Sequence, residues 1–457
     1  MNLFLQSDSA PLHFVGIGGA GMSALAMVAL RRGLAVSGSD ADLSGVGDLV
    51  AAGATVSQGS GVNLVEGAAV VIASAAIPAD HPDLVRARQL GRRVVTRKEA
   101  LAGLIGSATC VAIAGTHGKT TTTVMTTEAL VAAGFDPTGL AGGRVGSWGG
   151  NARLGGTELF VVEADEYDQA FLTLTPAIAV VNNVEPDHLE CYGSVEAMEA
   201  AYLTFACRAT RVLIGNDGPG ADRVAAGLEP GSVWRFGPGA ADLTTDLVRQ
   251  TAEGTDARLR FPDGGVTELR LSVPGLHNLR NATAALGVVA ALGGNREPAA
   301  AALGRFLGVG RRFERLGDAG GVSVVDDYAH HPTELVATLA AARQAFPGRR
   351  LVAAFQPHLF SRTALHGDAM GAALAAADLA VVTDVYPARE APMAGVTGAL
   401  VAEAATRRGA RVVYQPVRAD LAETVRGLLE PGDVLVTLGA GDITRIGREL
   451  LPVLARQ

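Results

Sequence analysis

Short, unbroken apolar runs alternate with Ala- and Leu-rich stretches along almost the whole chain. An apolar run closed at both ends by turn residues marks a strand buried on both faces, and its alternation with helical stretches builds parallel βα units. The first such block runs from residue 12 to about residue 105, with strands predicted at 12–15, 35–37, 70–73 and 94–96. A second opens at Cys110 and continues through strands at 159–162, 178–181 and 212–214. Its pattern then changes. Two runs at 257–261 and 268–273 flank Asp263-Gly-Gly265, which predicts an antiparallel hairpin, and a helix follows over 278–292. Past Gly308-Val-Gly-Arg-Arg312, a candidate hinge, strands are predicted at 322–325, 351–354, 380–383, 412–414 and 434–438, each followed by a helical stretch. The expected fold class is α/β in three domains, 1–106, 107–309 and 310–457.

Composition removes several classes of function. The 457 residues carry a net charge of -8 and no basic run longer than a pair, so nucleic acid is not an expected partner. Cys110, Cys191 and Cys207 form no CxxC pair, which speaks against a disulfide framework or zinc ribbon and for a reducing cytoplasm. The first ten residues hold no basic side chain, so no secretory leader is expected there. The apolar run 372–377 is cut by Asp378 long before membrane-spanning length, so no membrane association is expected either.

Among the 38 Lys and Arg residues only two are lysine, Lys98 and Lys119. An ammonium is a compact charge on a flexible stem, whereas guanidinium is a planar fork. Lys119 lies in Cys110-Val-Ala-Ile-Ala-Gly115-Thr-His-Gly-Lys119-Thr-Thr-Thr-Thr123, an apolar strand, a glycine loop and a threonine-rich helix start. The strict GxxxxGK[ST] spacing fails because Ile113 stands five before Gly118, but the shorter GTxGKT form keeps the working parts. Backbone N–H groups from Gly115 to Lys119 can cradle phosphates, Lys119 can reach the β and γ oxygens, and the Thr120 hydroxyl can hold Mg²⁺. Four acids, Glu163, Asp165, Glu166 and Asp168, follow the strand 159–162, with Glu163 at its tip and best placed for the metal. His188, just past the next strand, falls at the same rim, where ligands of parallel sheets gather. Earlier, Gly16, Gly18 and Gly21 stand in GxGxxG spacing between a strand and a helix, with Asp40 ending the following strand as an acceptor for a ribose hydroxyl. That turn suits NAD or a UDP-sugar equally, and with the first sheet it predicts a Rossmann-like domain.

These motifs, with His277-Asn278-Leu-Arg-Asn281-Ala, Gly310-Arg-Arg312-Phe, Asp326-Asp-Tyr-Ala-His-His-Pro-Thr-Glu334 and Phe355-Gln-Pro-His-Leu-Phe-Ser-Arg-Thr363, resemble the Mur ligases over essentially the whole chain. These are ATP-dependent amide-forming enzymes of peptidoglycan precursor assembly. The resemblance implies a UDP-sugar-binding N-terminal domain, a central ATPase-type domain and a Rossmann-like C-terminal domain for the amino acid. Within the family, segments 15–23, 183–188 and 330–334 are most like the member that joins L-alanine to UDP-N-acetylmuramate, with the murein-tripeptide recycling enzyme as the alternative. Sister enzymes use a carbamoylated lysine near a second metal. No lysine follows Lys119 here, and Tyr202 falls at the corresponding place.

The implied chemistry activates a carboxylate as an acyl phosphate, from which the amine of alanine then displaces phosphate. The implied ATP contacts are Gly115, Thr116, His117, Gly118, Lys119, Thr120 and Thr121, with Asn278 and Asn281 on the adenine side and Arg311 or Arg312 reaching the phosphates. Thr120, Glu163 and His188 would hold Mg²⁺ or Mn²⁺. The UDP-sugar would meet Gly18, Gly19, Ala20, Gly21, Met22, Ser39, Asp40, Ser74, Asp165 and Glu166. Asp327, Tyr328, His330, His358 and Arg362 would receive the amino acid, Arg362 taking its carboxylate bidentately. Lys119, His188, Arg312 and His330 are the implied catalytic set, His330 as an orienting or proton-accepting group. Because these groups lie on three domains, closure about the hinge at 308–312 is expected, in a monomer or homodimer. The chain departs from the common family pattern at Ser60, Tyr167 and Leu359, where His, Ser and Arg are frequent.

Overall fold

A computed structural model describes residues 10–216, 218–239, 242–388 and 390–456. The first nine residues, on which most of the expectation of no leader rests, lie outside the described residues. The described part is mixed α/β with three sheets, as expected from the alternation of apolar runs and helical stretches.

The first sheet is parallel and holds β1 (Leu12–Val15), β2 (Val36–Asp40), β3 (Thr55–Gln58), β4 (Val70–Ala73) and β5 (Arg93–Thr96) in the order 3-2-1-4-5. Its inner strand β1 is buried at every position, which is why its sequence shows no alternation.

The second sheet has ten strands: β6 (Thr109–Ala114), β7 (Thr138–Val145), β8 (Gly150–Arg153), β9 (Leu159–Glu163), β10 (Ile178–Val181), β11 (Arg211–Gly215), β12 (Val233–Gly237), β13 (Leu243–Thr251), β14 (Gly254–Arg260) and β15 (Val266–Leu271). Their order is 15-14-13-12-11-10-6-9-7-8. In the parallel register Ala114 stands beside Val181 and Ile113 beside Glu163, so β6, β9 and β10 end at one rim. β14 and β15 are the expected hairpin, closed by Phe261 and Gly264–Gly265 backbone bonds of 2.9 Å.

The third sheet runs β16 (Glu314–Ala319), β17 (Val322–Asp327), β18 (Leu351–Phe355), β19 (Leu379–Val382), β20 (Val412–Tyr414) and β21 (Val434–Leu438) in the order 16-17-21-18-19-20. Only its edge strand β16 is antiparallel to its neighbour. Apolar residues pack on both faces, in one cluster around Leu335, Leu339 and Met370 and in another around Leu421, Ile446 and Leu450.

The chain divides into two compact units: Met1–Thr245 with Leu259–Thr267 and Asn281–Leu303, and Asp246–Arg258 with Glu268–Arg280 and Gly304–Gln457.

Candidate functional site

In the first unit the loop after β6 turns at Gly115 (φ +130°) and Gly118 (φ +79°), and the helix Lys119–Ala132 starts directly behind it. A Cβ at Gly118 would sit 2.6 Å from Asn281 Oδ1, so the left-handed turn and the close approach both demand glycine. Asn182 and Asn183, immediately past β10, brace the loop. His117 N–H donates to Asn183 Oδ1 at 2.8 Å, and Asn182 Nδ2 donates to His117 O and to Thr122 Oγ1. Thr122 in turn donates to Asn281, and Thr116 exchanges hydrogen bonds with the backbone of Glu185. Thr120 and Thr121 are buried in the first turn of the helix, where unpaired backbone N–H groups and the helix dipole favour an anion.

Lys119 Nζ donates to Gly115 O (2.8 Å) and Thr116 O (3.2 Å) and lies 2.7 Å from both carboxylate oxygens of Glu166. Burial alone would lower the lysine pKa, but Glu166 and Asp165 outweigh it and raise it. The Glu166 pKa is also raised, by burial first and by Asp165 next to it, against the pull of Lys119. The turn that carries Glu166 is tied down on all sides: Arg97 meets Asp165 at 3.3 Å, Lys98 meets Asp168 at 3.0 Å, and Tyr192 Oη donates to Glu166 O at 2.5 Å.

Glu163, at the tip of β9, accepts Gly142 N–H at 2.6 Å. His188 adopts φ +53°, with Nδ1 3.2 Å from Glu190 and its ring edge-on to Tyr167 at 5.2 Å. The Tyr167 departure from the family pattern thus packs on the imidazole proposed for metal. Lys119, Glu163, Asp165, Glu166 and His188 are close enough to act on one another's charge. Tyr202 is fully buried, edge-on to Phe171 at 5.1 Å, and burial with Glu166 nearby keeps its hydroxyl protonated.

The glycine turn of the first sheet is closed by its own strand ends. Ser39 O accepts Gly16 N–H (2.8 Å) and Ile17 N–H (3.1 Å), while Asp40, expected to meet a ribose, accepts Gly18 N–H at 2.8 Å. Helix Ala20–Arg31 starts at Gly19, Met22 is in the core, and Ser74 N–H bonds Val15 O at 3.3 Å. Behind the turn lies a network that sequence reasoning missed. Fully buried Asp83 accepts from Ser39 Oγ (2.5 Å), Ser60 Oγ (2.7 Å), Gly61 N (2.8 Å) and His13 Nε2 (3.3 Å). The Ser60 departure therefore feeds a buried carboxylate, which no local pattern around Asp83 announces.

The second unit gathers the remaining candidates. The Arg311 guanidinium donates to Gly439 O at 2.7 Å, lies 3.5 Å from Asp326 and covers the Tyr328 ring. Arg312 lies over the same ring at 5.1 Å and reaches Glu334 at 3.5 Å. Both carboxylate oxygens of Asp327 accept backbone N–H groups, from Phe313 (2.8 Å) and Ala329 (2.7 Å). Burial pushes its pKa up to about 6 against those bonds and Arg312.

His330 Nδ1 lies 2.9 Å from Tyr328 O and 3.3 Å from a carboxylate oxygen of Glu334. His358 stacks on Tyr386 and its Nδ1 accepts from buried Arg362 at 3.2 Å. Leu359, the third departure, takes φ +70° between them. Asn278 Nδ2 donates to Pro274 O at 2.7 Å, and burial with Arg312 nearby lowers the neighbouring His277 to about 4.

A glycine loop at a parallel-strand tip, a threonine-rich helix behind it, and carboxylates and an imidazole on the adjoining strand ends define a nucleotide-phosphate-binding α/β protein. The chain belongs to the Mur ligase family. Residues 11–109 match the profile of the Mur ligase family catalytic domain, 113–289 the Mur ligase middle domain, and 311–441 the Mur ligase glutamate ligase domain. The chain is 43% identical over 451 residues to the UDP-N-acetylmuramate–L-alanine ligase of Salinibacter ruber, covering 97% of this chain and 94% of that protein. It is 46% identical over 469 residues to the enzyme of that name from Mycolicibacterium smegmatis, covering 98% and 96%. The crystal structure of UDP-N-acetylmuramate–alanine ligase from Thermotoga maritima superposes with a TM-score of 0.83 at 28% identity, over 97% of this chain and 99% of that one. The murein peptide ligase of Psychrobacter arcticus gives 0.73 at 25% identity, over 98% and 99%.

Proposed function

We propose that the protein uses ATP to join L-alanine to the lactyl carboxylate of UDP-N-acetylmuramate, the first amino-acid addition in peptidoglycan precursor synthesis. The observation that carries this reading is full-length similarity to L-alanine ligases together with an intact Lys119 loop. The reading keeps three domains, 1–106, 107–309 and 310–457; three family profiles match in that order, over 11–109, 113–289 and 311–441. Among the described residues no helix is long and apolar enough to cross a membrane, in keeping with work on a nucleotide-linked sugar in the cytoplasm.

ATP supplies the activation of the carboxylate as an acyl phosphate, with ADP leaving, and the amine of alanine then displaces inorganic phosphate to form the amide. The residues present fit the nucleotide: the loop is a glycine-lined cradle that a side chain at Gly118 would fill. Backbone N–H groups of the loop hold phosphate oxygens, apart from those of Thr116 and His117, which donate to Asn183, and Lys119 with Arg312 offsets their charge. Both arginines are anchored, Arg311 by the Gly439 carbonyl and Asp326 and Arg312 by Glu334. Thr120, Glu163 and His188 offer the oxygen and imidazole donors that suit Mg²⁺ or Mn²⁺. Asn278 and Asn281 serve the adenine side. The glycine turn at 16–21 with Ser39 and Ser74 serves the UDP-sugar, as do Asp165 and Glu166 from the acidic turn. Tyr328, His358 and Arg362 receive the amino acid, and His330 serves as an orienting or proton-accepting group. Asp327 shapes the turn that carries Tyr328 and His330.

The test is phosphate release with UDP-N-acetylmuramate and each amino acid in turn, beside the murein tripeptide. L-Alanine is the expected acceptor; preference for the tripeptide would assign the recycling reaction instead. Lys119→Met is expected to lower turnover by at least about a hundredfold. Near-normal turnover in that variant would refute the loop assignment.

A further inference from the structure

All three donors of the phosphate-loop lysine are engaged within the protein itself. An ammonium has three donors. At Lys119 two point to carbonyls of its own loop, Gly115 O and Thr116 O, and the third to Glu166, whose two carboxylate oxygens both lie 2.7 Å from Nζ. Glu166 is nearly inaccessible to water and Lys119 little more exposed, so solvent does not stand in for either partner. A carboxylate oxygen and a terminal phosphate oxygen are chemically alike toward an ammonium: both are anionic acceptors of charge-assisted hydrogen bonds. Glu166 therefore takes the one Lys119 donor that is not spent on the loop's own carbonyls, where an anionic phosphate oxygen would compete with it.

The backbone around Glu166 is built to stay while its side chain moves. Tyr192 Oη holds the Glu166 carbonyl, Arg97 holds Asp165, and Lys98 bonds both the carboxylate and the carbonyl of Asp168. Asp168 and Gln169 keep left-handed conformations (φ +51° and +52°) that non-glycine residues adopt only under such constraint. With both flanks fixed, release of Lys119 needs only rotation about the Glu166 side-chain bonds.

We propose that Glu166 is an internal stand-in for the nucleotide's terminal phosphates, closing the loop on Lys119 and being displaced when a di- or triphosphate binds. This rests on 115–120 being a nucleotide phosphate site. Glu166 then acts as a positioning residue that keeps the lysine charged and aimed, at the expense of nucleotide affinity. A ligand's apparent affinity falls by whatever free energy the competing internal contact contributes to the empty state.

The experiment is calorimetric titration of the full chain with ADP, a non-hydrolysable ATP analogue and AMP, in the wild type and in Glu166→Gln, Glu166→Ala and Lys119→Met, with melting temperatures of each with and without nucleotide. Removing the charge from one partner of a buried pair leaves the other uncompensated, so both Glu166 variants should bind ADP and the analogue roughly ten- to a hundredfold more tightly. AMP, which lacks the outer phosphates, should bind all four proteins alike. The Glu166 variants should melt lower when empty and recover more on nucleotide addition. A purely structural ion pair would lower melting equally with and without nucleotide and leave ADP affinity unchanged or weaker; that result overturns the proposal. If ADP binds Lys119→Met as tightly as the wild type, the phosphate-site reading fails and the proposal with it. If binding needs Lys119 but Glu166→Gln gains nothing, only the proposal fails.

Discussion

Asp83→Asn perturbs one atom of a fully buried carboxylate and tests whether the network behind the glycine turn supports it. Asp83 accepts four donors, from Ser39, Ser60, Gly61 and His13, the last with Ser37 Oγ 3.0 Å from the other ring nitrogen. Burial pushes its pKa up, yet the bonds from His13, Ser39, Ser60 and Gly61 outweigh that and hold it well below the usual carboxylate range. An amide keeps the shape but turns an N–H₂ toward hydrogen-bond donors. Ser39 and Ser60 can reorient as acceptors, and the Gly61 N–H, within reach of both oxygens, keeps the one that remains. The loss of the charge from this set of buried hydrogen bonds puts the cost at about 2–3 kcal/mol. Urea unfolding near neutral pH, followed by circular dichroism, measures it. Hydrogen exchange of peptides from β1 and β2 locates it, because Ser39 O holds the Gly16 and Ile17 N–H groups. Since the folded-state pKa is depressed, this stability is present above about pH 4 and is lost as pH falls, so wild type and variant should converge in acid. A difference below about 1 kcal/mol at neutral pH, or exchange unchanged at 16–18, would refute the reasoning.

Two further substitutions carry clear signs. Gly118→Ala forces a Cβ to 2.6 Å from Asn281 Oδ1 at φ +79°, and should cost about 2 kcal/mol of stability or more and at least about tenfold in ADP affinity. Gly134→Ala, at φ +94° with nothing within 4 Å, is the control and should show the backbone strain without the loss of binding. Asp327, raised to about 6 by burial, stabilises the fold most below its unfolded pKa near 4 and loses that contribution as pH rises through about 6. The urea stability of the wild type relative to Asp327→Asn should therefore fall by about 3 kcal/mol between pH 4 and 7, and parallel profiles would count against a buried neutral carboxyl.

Strands buried on both faces were legible because burial removes every polar position from them. The predicted ranges 12–15, 70–73 and 178–181 coincide with β1, β4 and β10. Several strands that meet water or carry glycine were not, although the exposed β5, β15 and β20 were found by their apolar residues. β3 is polar and lies at a sheet edge, β16 does too, and β7 reads Thr-Gly-Leu-Ala-Gly-Gly-Arg-Val, a composition that predicts a loop. β8, β12 and β13 were likewise passed over, β8 and β12 being short runs beside glycine. In the site, residue types that must face phosphate stand out locally, as at 115–121. Residues whose partner is distant in sequence do not: Asp83 is 44 positions from Ser39, and Asn182 braces a loop 65 positions away. Nor could adjacency separate Arg311 from Arg312. In the structure Arg311 meets the Gly439 carbonyl and Asp326, whereas Arg312 meets Glu334.

The scarcity of lysine points to more than the phosphate loop. Both lysines end on the same short acidic turn: Lys98 on Asp168, through its carboxylate and its carbonyl, and Lys119 on Glu166 together with two loop carbonyls. In each case one nitrogen must serve acceptors spread around it in space, which the tetrahedral donors of an ammonium do and the coplanar donors of a guanidinium do not. Arg97, one residue from Lys98, meets a single carboxylate oxygen of Asp165 at 3.3 Å, a contact a planar fork can make. In a chain that otherwise uses arginine, lysine thus survives where the acceptors converge on a point, and both such points hold the turn that carries the counterion of the phosphate-loop lysine.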